Sequence, residues 1–163
     1  NGLLDYSRIT TRGGEFEQVD ADAVAADVVG DLTVMLDEEN GHVDWADLPT
    51  VEADGDQLRQ LVQNLVKNAL EHSDGPVDIE VRGTETPTHY RFEIEDDGPG
   101  IEQNRQEKIF RIFKSGTQYQ TSSQAKGIGL AICDNIVQRH GGEIWVESEP
   151  DAGATFVFTL DKQ

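Results

Sequence analysis

The sequence predicts an α/β fold, a two-layer sandwich whose mixed, mostly antiparallel sheet carries helices on one face. Three observations point there. Tyr90-Arg91-Phe92-Glu93-Ile94 and Phe156-Val157-Phe158-Thr159-Leu160 place apolar residues at every second position, the pattern of a strand buried on one side. Segments 20–40, 56–72 and 127–140 instead repeat them every three or four positions, as amphipathic helices do. Strand-like runs also come as hairpin-like neighbours, 76–82 with 88–95 and 143–147 with 154–160, which excludes an all-parallel sheet.

Taken in order, residues 1–11 carry Leu3, Leu4, Tyr6 and Ile9 and read as the tail of a helix that stops near Arg12-Gly13-Gly14. Glu15–Val19 follows as a short strand. Asp20 offers a carboxylate to cap a helix running to Asn40-Gly41, with Val24, Val28, Leu32 and Met35 as its apolar stripe. His42–Leu48 and Thr50–Ala53 read as paired strands around Pro49. Asp54 followed by Gln57 has the pattern of a capped helix start, and Leu58, Leu61, Val62, Leu65 and Ala69 form the buried face of that helix. Beyond the 76–95 hairpin a short helix is expected at Arg105–Phe113. The polar, aperiodic Ser115–Gln124 reads as a mobile loop, part of a lid over about 102–126. Gly127 and Gly129 open the last helix, and His140-Gly141-Gly142 stops it.

Composition narrows the function. A chain of 163 residues suits one domain with a proper core. Asp and Glu number 32 against 13 Lys and Arg, a net charge of −19. A field of that sign repels nucleic acid and anionic membrane, so neither is an expected partner. The acids are dispersed, which fits a high-salt cytoplasm where screening relieves their repulsion. No apolar run is long enough to cross a membrane as a helix. Cys133 is the one cysteine, which excludes an internal disulfide and fits a reducing, cytoplasmic compartment.

Three patterns carry chemistry. The strand ending at Glu95 runs straight into Asp96-Asp97-Gly98-Pro99-Gly100-Ile101, where glycines let a ligand approach the backbone and a carboxylate can accept from a ligand amine. Gln57, Gln60, Asn64, Asn68 and Glu71 fall three or four apart, a polar stripe beside the apolar face. Asparagine is disfavoured inside helices, so Asn64 and Asn68 point to side-chain work such as holding a metal or its waters. Lys126-Gly127-Ile128-Gly129-Leu130 offers backbone N–H groups at the positive end of a helix, which suits phosphate.

These residues match a family. Gln63-Asn64-Leu65-Val66-Lys67-Asn68-Ala69 resembles the N box of sensor histidine kinases, and Asp96-Asp97-Gly98-Pro99-Gly100-Ile101 their G1 box. Ile109-Phe110-Arg111-Ile112-Phe113 is similar to the F box and Gly127-Ile128-Gly129-Leu130-Ala131-Ile132 to the G2 box. His140–Pro150 resembles the family as well, and the likeness covers about residues 15–163. The resemblance implies the Bergerat ATP-binding fold with ATP and Mg²⁺ as ligands. It divides the chain into the end of a dimerisation domain at 1–12 and an ATP-binding domain at 13–163.

The resemblance also implies roles. Asp96 would accept from the adenine amine in a pocket shaped by Gly98, Gly100 and Ile101, with Thr155 nearby and His72 stacking on the base. Asn68, helped by Asn64, would hold Mg²⁺ against the phosphates, and Lys126, Gly127, Gly129 and Leu130 would line the phosphate site. The implied partners are the dimerisation domain of the same protein, whose histidine takes the γ-phosphoryl group, and a response regulator, whose aspartate takes it next. Some positions depart from the family pattern. Glu71 stands where Lys is usual, Ala125 and Lys126 replace a Gly and a Thr, and Ser115 replaces an Arg, all on the phosphate side. His42, His72, His89 and His140 lack the acidic and proline context of a phosphoacceptor. Two alternatives remain: an ATPase of the gyrase kind, which needs a Glu where Asn64 stands, and a non-catalytic nucleotide-binding module.

Overall fold

Phe92 and Phe158 stack with ring centroids 5.1 Å apart, and the sheet is built around that pair. The computed structural model describes residues 15–71, 76–97, 124–148 and 153–162. Phe92 belongs to β5 (His89–Asp96) and Phe158 to β7 (Ala154–Asp161), which pair antiparallel. Around them run β4 (Val77–Glu85), β2 (Gly41–Trp45) and β6 (Ile144–Ser148), in the order β2-β4-β5-β7-β6. Only β2 and β4 pair in parallel, so the sheet is mixed and mostly antiparallel, as the sequence predicts. Val77, Ile79 and Val81 of β4, Tyr90, Phe92 and Ile94 of β5, and Phe156, Phe158 and Leu160 of β7 are buried on one face. The helices α3 (Gly55–Glu71) and α4 (Gln124–Arg139) pack on that face. The other face of β5 carries Arg91, Glu93 and Glu95 in ion pairs with Arg82 and Glu147.

Two expectations are corrected here. The segment after Asp20 is two helices, α1 (Ala21–Asp31) and α2 (Thr33–Glu39), rather than one. The Thr33 hydroxyl donates to the Val29 and Gly30 carbonyls at 3.1 and 3.0 Å, and such back-bonding bends a helix. Val24, Val28 and Leu32 are buried as expected, but beyond the bend Leu36 takes the buried place expected for Met35, which is only partly covered. The Asp20 cap holds, its carboxylate accepting from Asp22 N–H at 3.0 Å.

The strands flanking Pro49 also do not pair with each other. β3 (Thr50–Ala53) pairs with β1 (Glu17–Asp20) in a separate two-stranded sheet, while β2 joins the main sheet. The link between them turns at Asp47, at φ 54°, and is then tied to the start of α1. Leu48 N–H donates to the Asp22 carboxylate at 3.1 Å, and the Pro49 carbonyl accepts from Ala21 N–H at 3.3 Å. Because β2 and β4 are parallel, the chain must cross over between them, and β3 with α3 form that crossover.

The expected helix tail at 1–11, the short helix at Arg105–Phe113 and all but the last residue of the loop expected at Ser115–Gln124 lie outside the described residues. The last helix starts at Gln124, before the glycines rather than at them, so positions 124–126 of the expected lid are helical backbone. Gly141 closes it with a left-handed φ of 74°, as expected of a helix stop.

Candidate functional site

The helix α3 starts where Asp54 Oδ1 accepts from Gln57 N–H at 3.2 Å, the cap expected from the sequence. One stripe, Leu58, Leu61, Val62, Leu65 and Ala69, is buried in the core. The neighbouring polar stripe is not simply solvated. Gln57 and Asn68 are buried, Asn64 is partly buried, and Glu71 is exposed. The side-chain Nδ2 atoms of both Asn64 and Asn68 are buried without a hydrogen-bond partner. Leaving such a donor unpaired costs about 1–3 kcal/mol, so two of them on successive turns are a destabilising choice unless something else meets them.

The helix α4 runs antiparallel to α3. Its last residue, Arg139, donates to Asp54 and Gln57 at the start of α3. Further back, Cys133 Sγ lies 4.0 Å from the Leu61 carbonyl and against the Asn64 amide. Sulfur is a poor acceptor, so Asn64 gains no full hydrogen bond there. Burial pushes the Cys133 thiol up to about 12, which makes it an inert core residue. Continued in the same direction, the backbone of α4 carries Leu130, Gly129, Gly127 and Lys126 towards the Asn68 end of α3.

The two aspartates expected at the glycine turn are told apart. Asp96 continues the inward alternation of Phe92 and Ile94, is 9% exposed and faces the helix layer. Asp97 instead ties the strand end to β4: its carboxylate accepts from Asp78 N–H at 2.8 Å, and its own N–H donates to the Asp78 carbonyl at 3.2 Å. Thr155 is not brought to Asp96. The register pairs Glu95 with Thr155 and Asp96 with Ala154, so Thr155 stands on the sheet's opposite face. Sequence reading missed Gly153, whose left-handed φ of 78° leads into β7 against Asp96. A Cβ there would lie 2.1 Å from the Asp96 carbonyl oxygen. His72, Gly98, Gly100 and Ile101 lie outside the described residues.

Sequence reading also missed His140, treated as a helix-end residue. It is 1% exposed and stacks on Phe16 with centroids 4.4 Å apart. A backbone N–H can only donate and a carbonyl only accept, which assigns the ring's proton. His140 Nε2 accepts from Asp54 N–H at 3.2 Å, and Nδ1 donates to the Ile136 carbonyl at 2.7 Å. The ring is therefore neutral, and burial pushes its pKa below the ordinary 6.5. Below 6.5 the unfolded chain takes up a proton that the folded chain resists. The stability this group contributes is thus present above that pH and lost as pH falls through the folded value. Urea unfolding between pH 7.5 and 5.5 is expected to show a slope of up to about 1.4 kcal/mol per pH unit, which His140→Asn flattens.

An inward carboxylate and two orphaned helical amides suit a ligand that both donates and accepts hydrogen bonds, and likeness to known proteins gives the family. Residues 53–163 match the family described as histidine kinase-, DNA gyrase B- and HSP90-like ATPases. The chain belongs to that family. It is 34% identical to the adaptive-response sensory kinase SasA of Prochlorococcus marinus over 88% of its length, and 33% identical to cyanobacterial phytochrome A of a Nostoc species over 97%. It spans 40% of the first and 21% of the second. The catalytic domain of the histidine kinase ThkA superposes with a TM-score of 0.75 at 29% identity, over 91% of this chain and 97% of that one. ThkA in complex with the response regulator TrrA matches 99% of this chain and 46% of that one, at a TM-score of 0.73 and 26% identity. Within the family, the chain is the ATP-binding catalytic domain of the histidine-kinase type, and the gyrase-like alternative is not favoured.

Proposed function

We propose that this domain binds ATP with Mg²⁺ and passes the γ-phosphoryl group to a histidine on a dimerisation domain of the same protein, with residues 1–12 as the end of that domain and 13–163 as the ATP-binding domain. A response regulator aspartate, by analogy with the partner of ThkA, is the next acceptor. The observation that carries this reading is the pair of buried Nδ2 atoms without a partner at Asn64 and Asn68, on the helix α3 that packs against α4. An amide N–H suits a phosphate oxygen or a metal-bound water, and an amide oxygen suits Mg²⁺, so the residues present fit the ion. When bound, Mg²⁺ supplies positive charge that neutralises the phosphates. That need is acute in a chain of net charge −19 with Glu71 exposed at the end of α3.

The remaining roles are positional. Asp96 accepts from the adenine amine, with Gly98, Gly100, Ile101 and His72 completing the pocket, while Lys126, Gly127, Gly129 and Leu130 hold the phosphates. Phosphoryl transfer asks a protein mainly for positioning and charge stabilisation. The P–O bond to ADP breaks as the P–N bond to the acceptor imidazole forms, and Asn64, an amide, supplies no base to turn water into a competitor. His140 cannot be the acceptor, because both of its nitrogens are engaged inside the core. Isothermal calorimetry with ATP and Mg²⁺, followed by transfer of labelled phosphate to an added dimerisation domain, tests the reading. ATP binding without transfer would leave only a regulatory module.

The acid surface belongs to the same reading, as adaptation to a high-salt cytoplasm. The melting temperature is expected to climb steadily from low to molar KCl as screening relieves the repulsion. A flat response would end that part of the reading.

A further inference from the structure

Asp54 and Gln57 at the start of α3 and Arg139 and His140 at the end of α4 form a polar clasp, buried except for the Arg139 side chain, which is 29% exposed. Asp54 is 3%, Gln57 2% and His140 1% exposed. Every polar atom of Asp54 is in use. Its Oδ1 caps Gln57 N–H at 3.2 Å, its Oδ2 accepts from Arg139 at 2.9 Å, and its N–H donates to His140 Nε2 at 3.2 Å. Arg139 also donates to Gln57 Oε1 at 2.6 Å, and its guanidinium lies 4.7 Å over the Phe16 ring, which itself stacks on His140. Apart from the Asp54 cap, helix formation requires none of these side chains. A solvated pair of helix ends would serve as well for folding two amphipathic helices, whereas an arginine held to a buried carboxylate demands one arrangement.

We propose that this clasp is the positioning device of the phosphate side of the nucleotide site, a reading that rests on the site proposed above. The helices are antiparallel, so an axial stop at one end sets the register at the other. From Gln57 to Asn68 the rise along α3 is about 16 Å, and a slip of one residue moves a helix by about 1.5 Å. Between the two ends the buried contact is mostly apolar, Leu61 and Leu65 on α3 with Cys133, Ile136 and Val137 on α4, apart from the Asn64 amide against Cys133. Apolar contacts tolerate sliding, since they are not directional. The clasp is directional, since it ties the two helices by charge-assisted hydrogen bonds. With it in place, the backbone of Gly127 and Gly129 meets Asn68 at one fixed height. Asp96 sits on the sheet rather than on either helix, so the clasp sets the phosphate grip without setting the adenine contact.

The test is therefore a split between two ligands on the full chain. Arg139→Gln is expected to weaken Mg·ATP binding by about tenfold or more, the scale on which misplacements near 1 Å act, while adenosine binding changes by less than about twofold. Arg139→Lys, which keeps the charge, recovers most of the ATP affinity. Should Arg139→Gln fail to fold, the double variant Asp54→Asn with Arg139→Gln exchanges the charged tie for a neutral amide pair and is expected to show the same split. Equal losses of ATP and adenosine that track the melting temperature would make the clasp merely structural. Unchanged ATP affinity in a folded variant would overturn it too. A wild-type chain that binds adenosine but not ATP would instead sink the underlying phosphate-site reading, and this proposal with it.

Discussion

Replacing Asp96 with Asn is expected to lower ATP affinity by roughly two orders of magnitude while the domain stays folded. A hydrogen bond accepted by a charged group is worth about 1.5–3 kcal/mol, or about ten- to a hundred-and-fifty-fold in affinity. The amide that replaces the carboxylate is neutral and presents an N–H where the ligand also donates, so the loss falls at the upper end. Folding does not suffer in proportion, because a neutral amide is easier to bury than a carboxylate at a position only 9% exposed. The adjacent Asp97 supplies the control. Its carboxylate serves Asp78 N–H at the mouth of the hairpin and not the helix layer. Asp97→Asn should cost about 1 kcal/mol of stability and leave ATP affinity within about twofold. Calorimetry and thermal melts on both variants decide the matter: equal ATP loss in the two would deny Asp96 its separate role.

What was legible in the sequence were the features set by neighbours in the chain. Period-2 alternation in β5 and β7 identified the buried face because both strands are long and lie in the middle of the sheet, where packing acts on one side only. The cap at Asp54 and the stripe of α3 are local too, since helix contacts repeat every three or four residues. The pairing of β2 and β3 was not local. Both runs suit strands, and only the ties from Asp22 and Ala21 to the Leu48-Pro49 link send them to different sheets.

The site followed the same division. Asn64 and Asn68 were recognisable as costly helical residues, and Asp96 as a carboxylate at a glycine turn. Which of the two aspartates turns inward depends on strand register, where a shift of one residue exchanges the faces. That dependence is also why Thr155 was misplaced: it follows Gly153 closely, but β7 pairs Ala154 with Asp96. The clasp was invisible for a related reason. Arg139 and Asp54 are 85 residues apart, and nothing near either marks the other.

Asn68 is where stability and function should part. In Asn68→Ala, the buried N–H without a partner is removed, and alanine is the better helix former at that position. Thermal unfolding is therefore expected to shift upward, by about 1 kcal/mol in stability. Affinity for Mg·ATP is expected to move the other way by about a hundredfold or more, since the phosphates lose an amide and the ion loses an oxygen ligand. The difference should shrink sharply when adenosine replaces ATP, because in the proposed site the base contacts Asp96 and not Asn68. A function-bearing side chain that weakens its own fold is what selection for binding leaves behind. A purely structural Asn68 predicts the reverse pair of results, with lower stability and unchanged ATP affinity, so one melt and one titration separate the two accounts.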